Sequence, residues 1–165
     1  MRIGLGFDAH ELVAKKPLKL GGVAIEFPFG LRGHSDGDVL LHAISDAVLG
    51  ACARGDIGIY FRDDEEKNEN IDSRKILRLA LDTASEDNLM ISNLDVVIVA
   101  DKPKLNSSYD TIRRCISELC GIAPNRVSVK SKTTEGTLVG KNSIACFAVV
   151  LMFERTDPEK KSAPR

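Results

Sequence analysis

The sequence predicts one α+β domain, a sandwich of a mixed β-sheet with three helices on one of its faces. Three observations carry this. The chain has 165 residues, and its 43% hydrophobic and 28% charged residues match an ordinary globular protein of one domain. Its apolar pattern switches between alternating and helical spacing in the order strand, hairpin, helix, helix, strand, helix, strand, strand. The last two strands follow each other with no helix between them, which argues against a doubly wound parallel sheet.

The elements follow in chain order. Arg2 to Phe7 alternates, with Ile3, Leu5 and Phe7 on one side, and reads as a strand. Leu18–Leu20 and Val23–Ile25 flank Gly21-Gly22, which suggests a small hairpin. Ser35 or Asp36 caps a helix running to about Arg54, with Gly55 as its stop. Asp72 or Ser73 starts a second helix through Ile76, Leu77, Ala80, Leu81 and Ala84. Leu94 to Ala100 is nearly all apolar and reads as a buried strand. Ser108 caps a third helix through Ile112, Cys115, Ile116 and Leu119, ended by Gly121 and Pro124. Val127 to Lys132 alternates as a strand, and Ile144 to Phe153 is the last strand. Asp63 to Asn70 is an acidic, solvated loop. The domain spans residues 1–153, and 154–165 is a charged tail expected to be disordered.

The composition excludes several classes. The net charge is −1 with Lys and Arg spread along the chain, so no nucleic-acid footprint is visible. No apolar run is long enough to span a membrane, and Met1 to Phe7 is too short and polar for a signal peptide. The four cysteines form no C-x-x-C pair and lie in apolar segments, as reduced core residues do, so a cytoplasmic setting is expected. No G-x-G-x-x-G or Walker loop is present.

The chemistry concentrates early. The three histidines, His10, His34 and His42, all lie in the first third of the chain, accompanied by aspartates. Asp8 and His10 are two residues apart on a strand, so their side chains share a side. His42 lies in the first helix, where Asp38, His42, Ser45 and Asp46 share a polar stripe on an otherwise apolar surface. A buried carboxylate needs a partner or a metal. Two histidines and an aspartate supply three ligands and leave a tetrahedral ion one open position, the pattern of catalytic zinc. Asp46, one turn beyond His42, is expected to accept the other ring N–H of His42. The spacing alone leaves a plainer reading open, with His10 a surface turn residue and His42 a helix hydrogen-bond partner.

The motifs are more specific than the spacing. They are Gly6-Phe7-Asp8-Ala9-His10, His34-Ser35-Asp36-Gly37-Asp38-Val39, Leu41-His42-Ala43, Asp46-Ala47-Val48-Leu49-Gly50-Ala51, Gly55-Asp56-Ile57-Gly58 with Phe61, Asp72-Ser73-Arg74, Pro103-Lys104 and Lys132-Thr133-Thr134-Glu135. In this order the chain closely resembles the 2-C-methyl-D-erythritol 2,4-cyclodiphosphate synthase family over roughly residues 1–153. The resemblance implies conversion of 4-diphosphocytidyl-2-C-methyl-D-erythritol 2-phosphate to the cyclic diphosphate with release of CMP, in non-mevalonate isoprenoid synthesis. It implies that Asp8, His10 and His42 bind zinc or a similar ion, and that Glu135 helps hold a second ion, magnesium or manganese, on the diphosphate. His34 and Thr133 would stabilise the transition state. Asp8, His10, Ser35, Asp56, Ile57, Gly58, Phe61 and Asp63 would contact substrate. Ala100 to Asn106, with Pro103, Lys104 and Leu105 among them, and Ser131 to Thr134, with Lys132 and Thr133, would surround the cytidine and its phosphate. The family is a homotrimer with active sites between subunits.

Three stretches depart from the family pattern. F-P-D-T-D is here Phe61-Arg62-Asp63-Asp64-Glu65, and losing the proline loosens the loop entry. Asn106 stands where an apolar residue is common. F-T-G-R is replaced by Leu138-Val139-Gly140-Lys141 in a shorter loop. Lys141 keeps the charge of the family arginine, which faces the trimer cavity, but lacks its planar fork. Two other readings compete with the synthase, a zinc hydrolase of phosphate esters and a non-catalytic metal-binding scaffold.

Overall fold

Alternation along the first strand decides the architecture. In this computed structural model, which describes residues 1–62, 65, 68–136 and 142–155, β1 runs from Arg2 to Ala14. It is twice as long as the apolar alternation suggested, because Asp8 and His10 continue the inward set in polar form. Gly4 and Gly6 are buried, while Ile3, Leu5 and Phe7 point away and are exposed. The missing side chains let the first helix, α1 (Val39–Ala51), lie directly on the strand. A Cβ at Gly4 would stand 1.7 Å from the Ala47 carbonyl oxygen, and one at Gly6 would stand 1.9 Å from that of Ala43.

The hairpin β2 (Leu18–Leu20) and β3 (Val23–Ile25) forms as expected. Gly21 and Gly22 take φ of 63° and 79°, the positive pair that a two-residue turn between antiparallel strands favours. A three-residue strand, β4 (Phe29–Leu31), pairs with the end of β1 and is too short to show a period in the sequence.

Asp38, not Ser35 or Asp36, caps α1. Its carboxylate is fully buried and accepts from the N–H groups of Leu41 (3.1 Å), Gly21 (2.9 Å) and Gly22 (2.6 Å). Asp38 therefore does not belong to the polar stripe of His42. It ties the helix start to the hairpin turn, and burial pushes its carboxyl up against the pull of those three N–H groups. Ser45 leaves the stripe too, since its hydroxyl donates to the Leu41 carbonyl one turn back. Asp38→Ala would strand three N–H groups, at about 3 kcal/mol or more. The expected outcome is a fall in Tm of about 6–12 °C by calorimetry.

α1 ends at Ala51, earlier than expected, and a one-turn helix, α2 (Ile57–Tyr60), follows. α3 (Ser73–Glu86) is capped by Asp72, whose carboxylate accepts from the N–H of Arg74. β5 (Leu89–Val99) begins before Leu94, because a bulge between Ile91 and Asn93 interrupts the periodicity there. α4 (Tyr109–Cys120) closes at Gly121 with φ 65°. β6 (Val127–Lys132) and β7 (Ser143–Glu154) complete the chain, with Ser143 and Glu154 each extending the expected last strand.

The five-stranded sheet has the order β4-β1-β7-β5-β6. Only β5 and β6, joined through α4, are parallel. The core fills the space between the sheet and α1, α3 and α4. The opposite sheet face is bare and apolar, with Ile3 71%, Leu5 65% and Phe7 50% exposed beside Phe147 and Val149. Among the described residues no helix is long and apolar enough to cross a membrane, and the four cysteines are free. Asp63, Asp64, Lys141 with its neighbours 137–140, and 156–165 of the tail lie outside the described residues.

Candidate active site

The strand spacing of Asp8 and His10 and the packing of α1 on β1 bring three side chains to one point. Asp8 Oδ2 lies 2.8 Å from His42 Nδ1 and 3.1 Å from His10 Nε2, and the two ring nitrogens are 3.3 Å apart. Ligands at about 2.05 Å from a tetrahedral zinc ion stand about 3.3 Å from one another. Three donor atoms of the right chemistry at this separation fit one metal ion. Burial opposes the charge on Asp8, yet hydrogen bonds from His10 and His42, and their positive charge, outweigh it and hold the carboxyl well below the usual carboxylate range. The carboxylate is thus ionised and ready to bind a cation.

The far nitrogen of His42 does not meet Asp46. Its Nε2 lies 3.0 Å from Ser35 Oγ and 2.9 Å from Ser73 Oγ. Asp46 instead accepts from the Ile57 N–H at 2.8 Å and fixes the start of α2. One helical turn places Asp46 on the right side of α1, but the loop after Gly55 reaches it first.

The triad opens into a cleft of about 600 Å³. His34, Ser35, Ile57, Gly58 and Phe61 line it with Asp8, His10 and His42. Asp56 is exposed at the start of α2 beside the cleft wall, and a Cβ at Gly58 would come within 3.2 Å of its Oδ1. Arg32, Gly33, Asn68 and Ile71 also line the cleft and were missed. No motif marks them, since Asn68 and Ile71 reach it only through the fold of the loop before α3.

A second hollow, of about 400 Å³, gathers Ala100, Pro103, Lys104, Asn106, Ser131, Lys132 and Thr133, with Tyr109 unanticipated. The Tyr109 and Ser131 hydroxyls are hydrogen-bonded to each other. The Leu105 side chain is not among the lining groups; it is buried in the core. Thr134 is buried as well, with its N–H and hydroxyl bonded to Asp101. The Thr133 hydroxyl donates to the Glu135 carboxylate. The sheet register aligns Ala9, Ala145, Val99 and Lys132 in one row. The two hollows therefore open at the same end of the sheet, about 14 Å apart across the strands, and they share no lining residue.

Fold and site together define a single-domain α+β protein with a three-residue site able to hold a metal ion at the floor of a polar cleft. The chain belongs to the YgbB family, whose model matches residues 1–153. It is 49% identical over 154 residues to the 2-C-methyl-D-erythritol 2,4-cyclodiphosphate synthase of Aquifex aeolicus, covering 93% of this chain and 98% of the relative. Its identity to the synthase of Geobacter sulfurreducens is 47% over 157 residues, covering 94% and 100% of the two chains. Among solved structures, a 2C-methyl-D-erythritol-2,4-cyclodiphosphate synthase in its CDP-bound form aligns with a TM-score of 0.86 at 34% identity, over 92% of this chain and all of that one. The IspF–CDP complex of Plasmodium falciparum aligns at 0.81 and 35% identity, over 94% and 97%.

Proposed function

We propose that the chain is a 2-C-methyl-D-erythritol 2,4-cyclodiphosphate synthase. It converts 4-diphosphocytidyl-2-C-methyl-D-erythritol 2-phosphate to the cyclic diphosphate and CMP, in non-mevalonate isoprenoid precursor synthesis. The observation that carries this reading is the Asp8–His10–His42 cluster at the floor of a cleft, in a chain this similar to synthases along its whole domain.

An oxygen of the 2-phosphate forms a bond to the phosphorus nearer the erythritol, and the bond from that phosphorus to the CMP oxygen breaks. The nucleophile is already anionic, so the protein needs no strong base. Its task is to hold attacking and leaving oxygens in line, which can lower a barrier by about 7–11 kcal/mol. A zinc ion on Asp8, His10 and His42, and a magnesium or manganese ion held with Glu135, would supply the charge that offsets the two phosphates. His34 and Thr133 donate to the phosphate oxygens, Lys104 and Lys132 add positive charge, and Ser35, Asp56, Ile57, Gly58 and Phe61 hold the erythritol part. The hollow of Ala100, Pro103, Asn106 and Thr133, with the backbone of Leu105 and Thr134, takes the cytidine. Asp63 and Lys141 are further substrate contacts in this reading.

The substrate must touch both hollows, which one chain holds apart. We assign the active site to the junction of two copies in a homotrimer. The bare face of Ile3, Leu5, Phe7, Phe147 and Val149 supports this, since so continuous an apolar surface is unusual on a monomer. Light scattering is expected to give about three times the 18.0 kDa of one chain. Leu5→Asp leaves the inner core untouched and should yield a folded, inactive monomer; an active monomer would sink the shared-site reading. The activity itself is tested by product analysis. CMP with the cyclic diphosphate supports cyclisation, and CMP with an open-chain bisphosphate, or free phosphate, indicates a hydrolase.

A further inference from the structure

Asp72-Ser73-Arg74 is a motif that the reaction does not use. Two of its members are structural. Asp72 caps α3, and Arg74 donates to the Gly22 carbonyl at 2.6 Å, pinning the hairpin turn that Asp38 holds from the other side. Ser73 is different. It is fully buried at the first position of α3, and its hydroxyl lies between Asp36 Oδ1, at 2.5 Å, and His42 Nε2, at 2.9 Å. The other oxygen of Asp36 accepts from Lys19 Nζ at 3.0 Å.

The directions of these bonds are constrained. A carboxylate paired with a lysine only accepts, so the single proton of the Ser73 hydroxyl goes to Asp36. The oxygen of Ser73 then has only lone pairs left for His42, and the contact is a hydrogen bond only if Nε2 carries the proton. Ser35 fits the same assignment, because its oxygen already accepts from the Gly37 N–H at 3.1 Å and can accept a shared Nε2–H at 3.0 Å. In the neutral ring, a proton kept on Nε2 leaves Nδ1, which stands 2.8 Å from Asp8 Oδ2, with the lone pair for an ion. In neutral imidazole the other tautomer would turn an N–H into the metal site and leave it one ligand short.

We propose that Ser73, oriented by Asp36 and Lys19, is a positioning residue that fixes the tautomer and ring plane of His42 for metal binding. The usual carboxylate partner of a metal-bound histidine acts here at one remove, through a hydroxyl supplied by a different helix. The role rests on the metal reading of Asp8, His10 and His42. It also gives the entry to α3 a part in the site, although no residue of α3 lines the cleft.

The test measures zinc affinity by competition with a chromogenic chelator, together with the Tm of each metal-free protein. Ser73→Ala is expected to weaken zinc binding by about 10–100-fold. Ser73→Thr keeps the hydroxyl and should restore affinity to within about threefold of the parent, a small remnant of the loss expected when the partner itself is removed. A merely structural serine would lower the metal-free Tm of both variants and leave zinc affinity unchanged, which overturns the proposal. Should Ser73→Ala fail to fold, Lys19→Met interrupts the same chain from its half-exposed end. It is expected to weaken zinc binding several-fold at unchanged Tm, and an unchanged affinity overturns the proposal as well. A parent protein that takes up no zinc sinks the metal reading; a parent that binds zinc as tightly as Ser73→Ala sinks only the role of Ser73.

Discussion

Replacing His42 by alanine is expected to abolish zinc uptake and lower CMP release by at least about a hundredfold, since a metal contributes several kcal/mol of charge stabilisation to such a reaction. In the proposed site these three side chains are the protein ligands, so losing one leaves Asp8 and His10 with no geometry that closes around an ion. The fold should survive. His42 lies at the cleft end of α1 and meets hydroxyls of Ser35 and Ser73, and its truncation removes polar contacts at about 1–2 kcal/mol in the metal-free protein. Elemental analysis of the purified variant decides the matter. Zinc at one equivalent per chain in His42→Ala would show that another set of ligands holds the ion.

Gly6→Ala should do more damage to the fold than any change in the cleft. The added carbon would sit 1.9 Å from the Ala43 carbonyl oxygen and 2.6 Å from the Ala47 nitrogen, both backbone atoms of α1. Neither can rotate away, so the whole helix must lift from the sheet, and close packing turns that shift into a loss of about 4 kcal/mol or more. The expected result is insoluble protein, or a Tm lower by about 10 °C or more. Because α1 carries His42 and β1 carries Asp8 and His10, zinc affinity should fall as well. Gly50→Ala is the control on the same helix. Its new carbon meets only the Leu5 carbonyl oxygen, at 3.8 Å, and it should gain about 0.5–1 kcal/mol from helix propensity. Equal Tm values for the two variants would refute this account of the interface.

What could be read in advance was local. Gly21-Gly22 between two short apolar runs specified its hairpin, because only residues free to take positive φ turn so tightly. Asp72 announced α3, and alternation marked β6 to the residue. The same logic fell short where local pattern and global environment disagree. The apolar alternation of β1 stops at Phe7 because its inward positions turn polar at the site. The bulge in β5 hides its first residues from the apolar pattern, and β4 has too few residues for any period. Helical spacing puts Asp38 on the stripe of His42, but it lies just before the helix, where its non-helical backbone sends the carboxylate to the hairpin instead.

The sequence by itself determined the types and spacings at the candidate metal site. A D-x-H pair on a strand shares one side, and a histidine on a helix shows its face, because both depend only on backbone period. Tertiary structure alone decided what meets those side chains. Ser35 is seven positions from His42 and Ser73 is 31, on separate segments that touch only once α3 docks beside α1. Periodicity reports which way a side chain points and carries nothing about which distant element stands opposite. For that reason helical spacing points from His42 to Asp46, while the fold sets Ser35 and Ser73 against its ring.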